Sequence, residues 1–108
     1  MVKASLKNGI STITARGELD RFDFPVLRAE FERAPSGVLL DLLGVGFIDS
    51  RCARMVSDEA DRVRRRGDWF KLEASPQVLK TLNILDRAGL KTARDLVGEL
   101  KTPRLALA

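Results

Sequence analysis

The chain has 108 residues, 44% of them hydrophobic and 31% charged, with a formal net charge of +4. That length suits one small domain built on one core, here residues 1–108, and no stretch reaches the ~20 apolar residues that a membrane-spanning helix needs. With no histidine and one cysteine, the chain cannot staple itself with a disulfide. A zinc site would have to be built from carboxylates, and the usual general base near neutral pH is missing. Metal sites, cofactors and enzyme chemistry are therefore disfavoured. The first nine residues, MVKASLKNG, lack the apolar h-region of a signal peptide, so a cytoplasmic location is expected.

Val2–Lys7 and Ile10–Arg16 alternate apolar and polar residues, and Asn8-Gly9 between them suits a two-residue hairpin turn. After Gly17-Glu18-Leu19-Asp20 the period changes. Leu27, Phe31 and Ala34 recur at helical spacing, Pro25 suits a first turn and Pro35-Ser36-Gly37 a stop, which predicts a helix over 24–34. Val38–Leu43 is a near-continuous apolar run, as expected of a central strand covered on both faces. Gly44-Val45-Gly46 is expected to bend the chain, and Phe47-Ile48 to bring it back to the core.

From Arg51 the apolar positions Cys52, Val56, Ala60 and Val63 recur every three or four residues. A second helix is therefore expected to start at Asp49-Ser50 and to end near Gly67. Trp69–Ala74 reads as a strand, with Trp69 in the core. Ser75-Pro76 opens a third helix carrying Val78, Leu79, Leu82 and Leu85 and stopping at Ala88-Gly89. Thr92–Leu100 is open to a fourth helix, and the tail from Pro103 to fraying or packing. The pattern is that of an α/β sandwich, an N-terminal hairpin followed by alternating strands and helices that cover a small mixed sheet.

Two stretches invite a functional reading. Arg62, Arg64, Arg65 and Arg66 form the densest basic run, open to a phosphate-binding patch and hence to a nucleic-acid-binding domain. Against that, Asp58 and Asp61 stand four residues before Arg62 and Arg65, the spacing of a salt-laced helix face, and no aromatic is interleaved to stack on bases. The Asp49-Ser50 step, in turn, suits a helix cap. No histidine is present to activate Ser50, and Gly44-Val45-Gly46 lacks the Gly-Lys-Ser/Thr ending of a phosphate-binding loop.

Several residues taken together resemble one family. Gly17-Glu18-Leu19-Asp20, Val38–Leu42 followed by Val45-Gly46-Phe47-Ile48-Asp49-Ser50, then Gly67, Ser75-Pro76-Gln77-Val78 and Ala88-Gly89-Leu90 are similar in order and spacing to the STAS domains. These are best known as bacterial anti-sigma-factor antagonists, and the resemblance runs from about Val2 to Leu90. It implies a helix-covered sheet, no enzymatic activity, and a protein partner held through the Asp-Ser step and the helix after it. In phosphorylated members that partner is a histidine-kinase-like anti-sigma factor, which binds ATP and phosphorylates the antagonist. Within the family, the rival role is an adaptor subunit of a stressosome-like or lipid-transport assembly.

The chain departs from the family at its most informative place. The family pattern Asp-Ser-Ser/Thr-Gly, with the phosphate on the third residue, reads here Asp49-Ser50-Arg51-Cys52. A phosphate adds ~2 negative charges at a helix N-terminus, whereas Arg51 cannot accept one there and carries the opposite sign. The switch at the usual position is thus expected to be absent, with Ser50 open to being a cap or a substitute phosphosite. The expected partner surface comprises Asp20, Asp49, Ser50, Arg51, Arg54 and Ser57. Cys52 beside Arg51 and Arg54 in a first turn is open to a lowered thiol pKa and a redox role, or to being a small buried residue.

Overall fold

Asn8 and Gly9 both have positive φ, 53° and 80°, the backbone that a type I′ turn requires and that Asn-Gly tolerates. They join β1 (Val2–Lys7) to β2 (Ile10–Leu19) in an antiparallel hairpin with Val2 opposite Ala15 and Lys7 opposite Ile10. The computed structural model describes residues 1–87, with side chains through Thr81. Beyond the hairpin come α1 (Phe24–Arg33), β3 (Gly37–Ile48), α2 (Ser50–Arg65), β4 (Phe70–Ala74) and α3 (Pro76–Arg87). The sheet order is β1-β2-β3-β4, with β2, β3 and β4 parallel, so the architecture is the mixed α/β one expected. The expected stop at Ala88-Gly89 and the candidate helix Thr92–Leu100 lie outside the described residues.

One face of the sheet makes the core. Ile13 and Ala15 from β2, Val38, Leu40 and Leu42 from β3, and Phe70 and Leu72 from β4 are buried in one cluster with Leu27 and Phe31 of α1, Val56 and Val63 of α2, and Val78 of α3. Helix α2 touches both α1 and α3 as well as the sheet, which is why eight of its residues are buried. It closes in a Schellman motif: Gly67, at φ 84°, donates to Arg64 O, and Asp68 N–H donates to Val63 O at 3.1 Å. Ser75 caps the third helix, its Oγ accepting from Val78 N–H and donating to Val45 O at 2.7 Å.

Four expectations about the strands are corrected. Strand β2 runs past Arg16 to Leu19, because its second half pairs with β3 across two register shifts. Gly44-Val45-Gly46 does not bend the chain but continues β3. Arg16 lies opposite Gly44, and a Cβ there would sit 3.0 Å from the Arg16 side chain, so this glycine makes room for a neighbouring strand. Strand β3 is internal, yet only one of its faces is fully buried. Leu39 and Asp41 are half-buried, and Leu43 and Phe47 are exposed, so Phe47 does not return to the core. Trp69 is half-buried rather than deep in the core, its ring lying against Gly37.

Candidate functional site

The parallel pairing of β2 with β3 brings their carboxyl ends together. Leu19 is opposite Ile48, and the next residue along, Asp49, donates its N–H to Leu19 O at 3.0 Å. The loop Asp20–Asp23 therefore emerges beside the Asp49-Ser50 step, at the edge where open α/β sheets commonly place their sites.

The Asp20 carbonyl ties this corner together. It accepts from Asp23 N–H at 3.0 Å, from Phe24 N–H at 3.2 Å and from the Cys52 thiol at 3.2 Å, joining the loop, the start of α1 and the first turn of α2. Its carboxylate accepts from Phe22 N–H at 2.9 Å, and Asp23 Oδ2 accepts from Asp20 N–H at 3.3 Å. These local bonds are what Asp does in tight loops. Phe22, on the outside of the loop, is 71% exposed.

Asp49, not Ser50, is the N-cap of α2: its Oδ1 accepts from Cys52 N–H at 2.8 Å, a bond worth ~1 kcal/mol. Ser50 is the first helical residue and is exposed, and its hydroxyl makes no hydrogen bond among the described residues. The cap reading of Ser50 is thus corrected, since the carboxylate before it already holds the free backbone donor.

Arg51 and Arg54 are exposed on one stripe of α2, and the Arg51 guanidinium lies over the Phe24 ring, 5.0 Å from its centroid. Ser57 does not join them. It is 2% exposed, because the buried arc of α2 between α1 and α3 is wide and position 57 falls within it. An exposed partner surface therefore excludes Ser57.

Cys52 is fully buried, and its thiol is pushed up to about 12 from 9.0. Burial is the main cause, followed by the charge of Asp49 and the hydrogen bond to it, and then by Asp23 and Asp20. Of the two readings of Cys52, the small buried residue holds and the activated thiolate does not: burial and three carboxylates outweigh the helix terminus and the nearby arginines.

The basic run at the other end of α2 is engaged at each position. Arg62 bonds Glu59 at 2.6 Å rather than Asp58, Arg65 bonds Asp61 at 2.9 Å as its spacing suggests, and Arg64 lies 5.5 Å over the Phe70 ring. Arg66 pairs with Asp68 and donates to Ala34 O at 3.1 Å and to Ser36 O at 2.7 Å. Arg66 thereby fastens the end of α2 to the α1–β3 connection.

The sequence reading missed the groove beside Arg51. About 390 Å³ opens between α1 and α2, with Phe24 and Arg28 on one side and Arg51, Arg54 and Met55 on the other. Phe24 and Arg28 are four residues apart and so share a helix face, but nothing in the sequence tells which helix that face meets. Among the described residues, no helix is long and apolar enough to cross a membrane. Nor does any cluster of three or more Cys, Asp or Glu side chains stand ready to hold a metal ion.

No family model matches the sequence, and no curated protein does so significantly. Solved structures do match. The anti-sigma factor antagonist SpoIIAA in its unphosphorylated form superposes with a TM-score of 0.65, at 18% identity over 75% of this chain and 80% of that one. The phosphorylated Bacillus cell fate determinant SpoIIAA gives 0.67, at 18% identity over 84% and 86%. An anti-sigma factor antagonist from Mycobacterium paratuberculosis gives 0.63, at 19% identity over 90% and 92%. The hairpin, the parallel strands with their crossover helices, and these superpositions agree: the chain has the STAS fold of the SpoIIAA-type anti-sigma factor antagonists.

Proposed function

We propose that this protein is a non-enzymatic, cytoplasmic regulator of the anti-sigma-factor antagonist kind. It binds a histidine-kinase-like anti-sigma factor through Asp20, Asp49, Ser50, Arg51 and Arg54, and it lacks the phosphate switch at the usual position. The observation that carries this reading is the corner itself. The Asp20 loop and the Asp49-Ser50-Arg51 step are held side by side by Asp49 N–H on Leu19 O and the Cys52 thiol on Asp20 O. An exposed arginine stands there in the position to which the family resemblance assigns a phosphate-accepting hydroxyl. Contacts made by such exposed cations speed association more than they raise affinity.

The test takes the histidine-kinase-like anti-sigma factors of the source organism one by one, with and without ATP, against the wild type, Arg51→Ser and Arg51→Glu. The wild type is expected to bind in both conditions, and Ser50, exposed and not needed as a cap, is the acceptor to which any phosphate it gains is assigned. Arg51→Ser is expected to become phosphorylated and then to release its partner, and Arg51→Glu to bind at least ~10-fold more weakly. Indifference to Arg51→Glu overturns the surface assignment. Binding to scaffold or transporter subunits instead puts the same fold in an adaptor role.

A further inference from the structure

The groove between α1 and α2 has a chemistry of its own. Its buried part holds Met55, only 5% exposed, the half-buried Phe24 and the buried Glu59, while Arg28, Arg51 and Arg54 are all exposed along its rim. Two acids also line it, but Glu59 is committed to Arg62 at 2.6 Å. Arg28 holds only a loose pair with Glu32 at 3.7 Å, both side chains more than half exposed, a contact worth little in water. Arg54 has no hydrogen bond or ion pair among the described residues. The remaining acid, the exposed Asp58, stands at the far end of the groove from Arg51, about 10 Å along the helix at 1.5 Å per residue.

We propose that this groove takes a short acidic segment of the partner protein, in which one or two carboxylates stand next to an apolar side chain. The carboxylates pair with Arg28, Arg51 and Arg54, and the apolar side chain rests on Phe24 and Met55. Asp58 repels carboxylates at its own end of the groove, so the segment is acidic only beside the arginines. A free inorganic anion would use the arginines but none of the apolar floor, which favours the peptide. The inference deepens the partner-binding reading and rests on it. It extends the surface from the Asp20–Asp49 corner onto Arg28 and Phe24 of α1.

The test uses the full chain and a labelled peptide in which Asp and Glu precede a leucine and neutral residues follow it. Fluorescence anisotropy gives the affinity, and backbone amide shifts give the place. Binding is expected to shift amides around Phe24, Arg28 and Arg54, and to weaken about tenfold in Arg28→Glu and in Arg54→Glu while changing little in Arg65→Glu. The proposal fails if Arg65→Glu weakens binding equally, if the Asn/Gln version of the peptide binds as well, or if inorganic phosphate displaces the peptide at equal concentration. An anti-sigma factor that binds the wild type and Arg28→Glu equally overturns the groove and leaves the partner reading standing. Peptide held in the groove while no anti-sigma factor binds does the reverse.

Discussion

The two ends of helix α2 carry the same side chain to opposite effect. At the C-terminal end, Arg62, Arg65 and Arg66 are tied to acids and carbonyls, and their charge suits the negative end of the helix dipole. At the N-terminal end, Arg51 meets the positive end of that dipole in a first turn whose nearest acid is the Asp49 cap before it, and Arg51 and Arg54 both stand exposed. An arginine that closes a helix stabilises the fold. One placed against the dipole and left in water works against it, and so directs attention to what it meets from outside.

Each end can be disturbed in a way that tests this contrast. The largest effect is expected at the N-terminal end, where Cys52 is buried among carboxylates. Its thiol ionises near 9.0 when unfolded but near 12 in the fold, so between those values the unfolded chain holds fewer protons and stability falls as pH rises. The slope is about 1.4 kcal/mol per pH unit. Urea unfolding from pH 8 to 11 should show the loss in the wild type relative to Cys52→Ala, which lacks the group; parallel curves would break the assignment. At the C-terminal end, Arg66→Ala leaves Ala34 O and Ser36 O without their donor. It should cost about 1–2 kcal/mol by thermal or urea unfolding, with partner binding unchanged. The smallest stability effect belongs to Arg51→Asp, where relief of the dipole clash and loss of the contact with Phe24 nearly cancel. Stability should stay within about 0.5 kcal/mol of wild type while partner binding falls. A variant that lost both together would erase the contrast between the ends.

Local chemistry made much of this legible. Asn8-Gly9 marks the hairpin because few other dipeptides accept two positive φ values in succession. The apolar spacing of Cys52, Val56, Ala60 and Val63 marks α2, and Gly67 marks its end. The failures share a cause. Gly44-Val45-Gly46 looks like a bend until β2 lies beside it and Arg16 needs the space that Gly44 leaves. Phe47 looks like a core residue until the register shift between Val45 and Phe47, where β3 carries an extra residue against β2, turns it outward. Ser57 looks like a surface residue until α1 and α3 are found on both flanks of α2, and Arg62 chooses Glu59 over Asp58 because of where its helix packs.

By itself, then, the sequence determined the elements, their order and the α/β class, since these follow from turn chemistry, periodicity and capping within a few neighbouring residues. Only the tertiary structure decided that Asp49 rather than Ser50 is the cap, that Cys52 is a protonated buried thiol, and that Phe24 and Arg28 face Arg51 and Arg54 across a groove. Each of these depends on which segments, distant along the chain, share a water-excluded space, and burial and charge proximity act through that space rather than along the sequence.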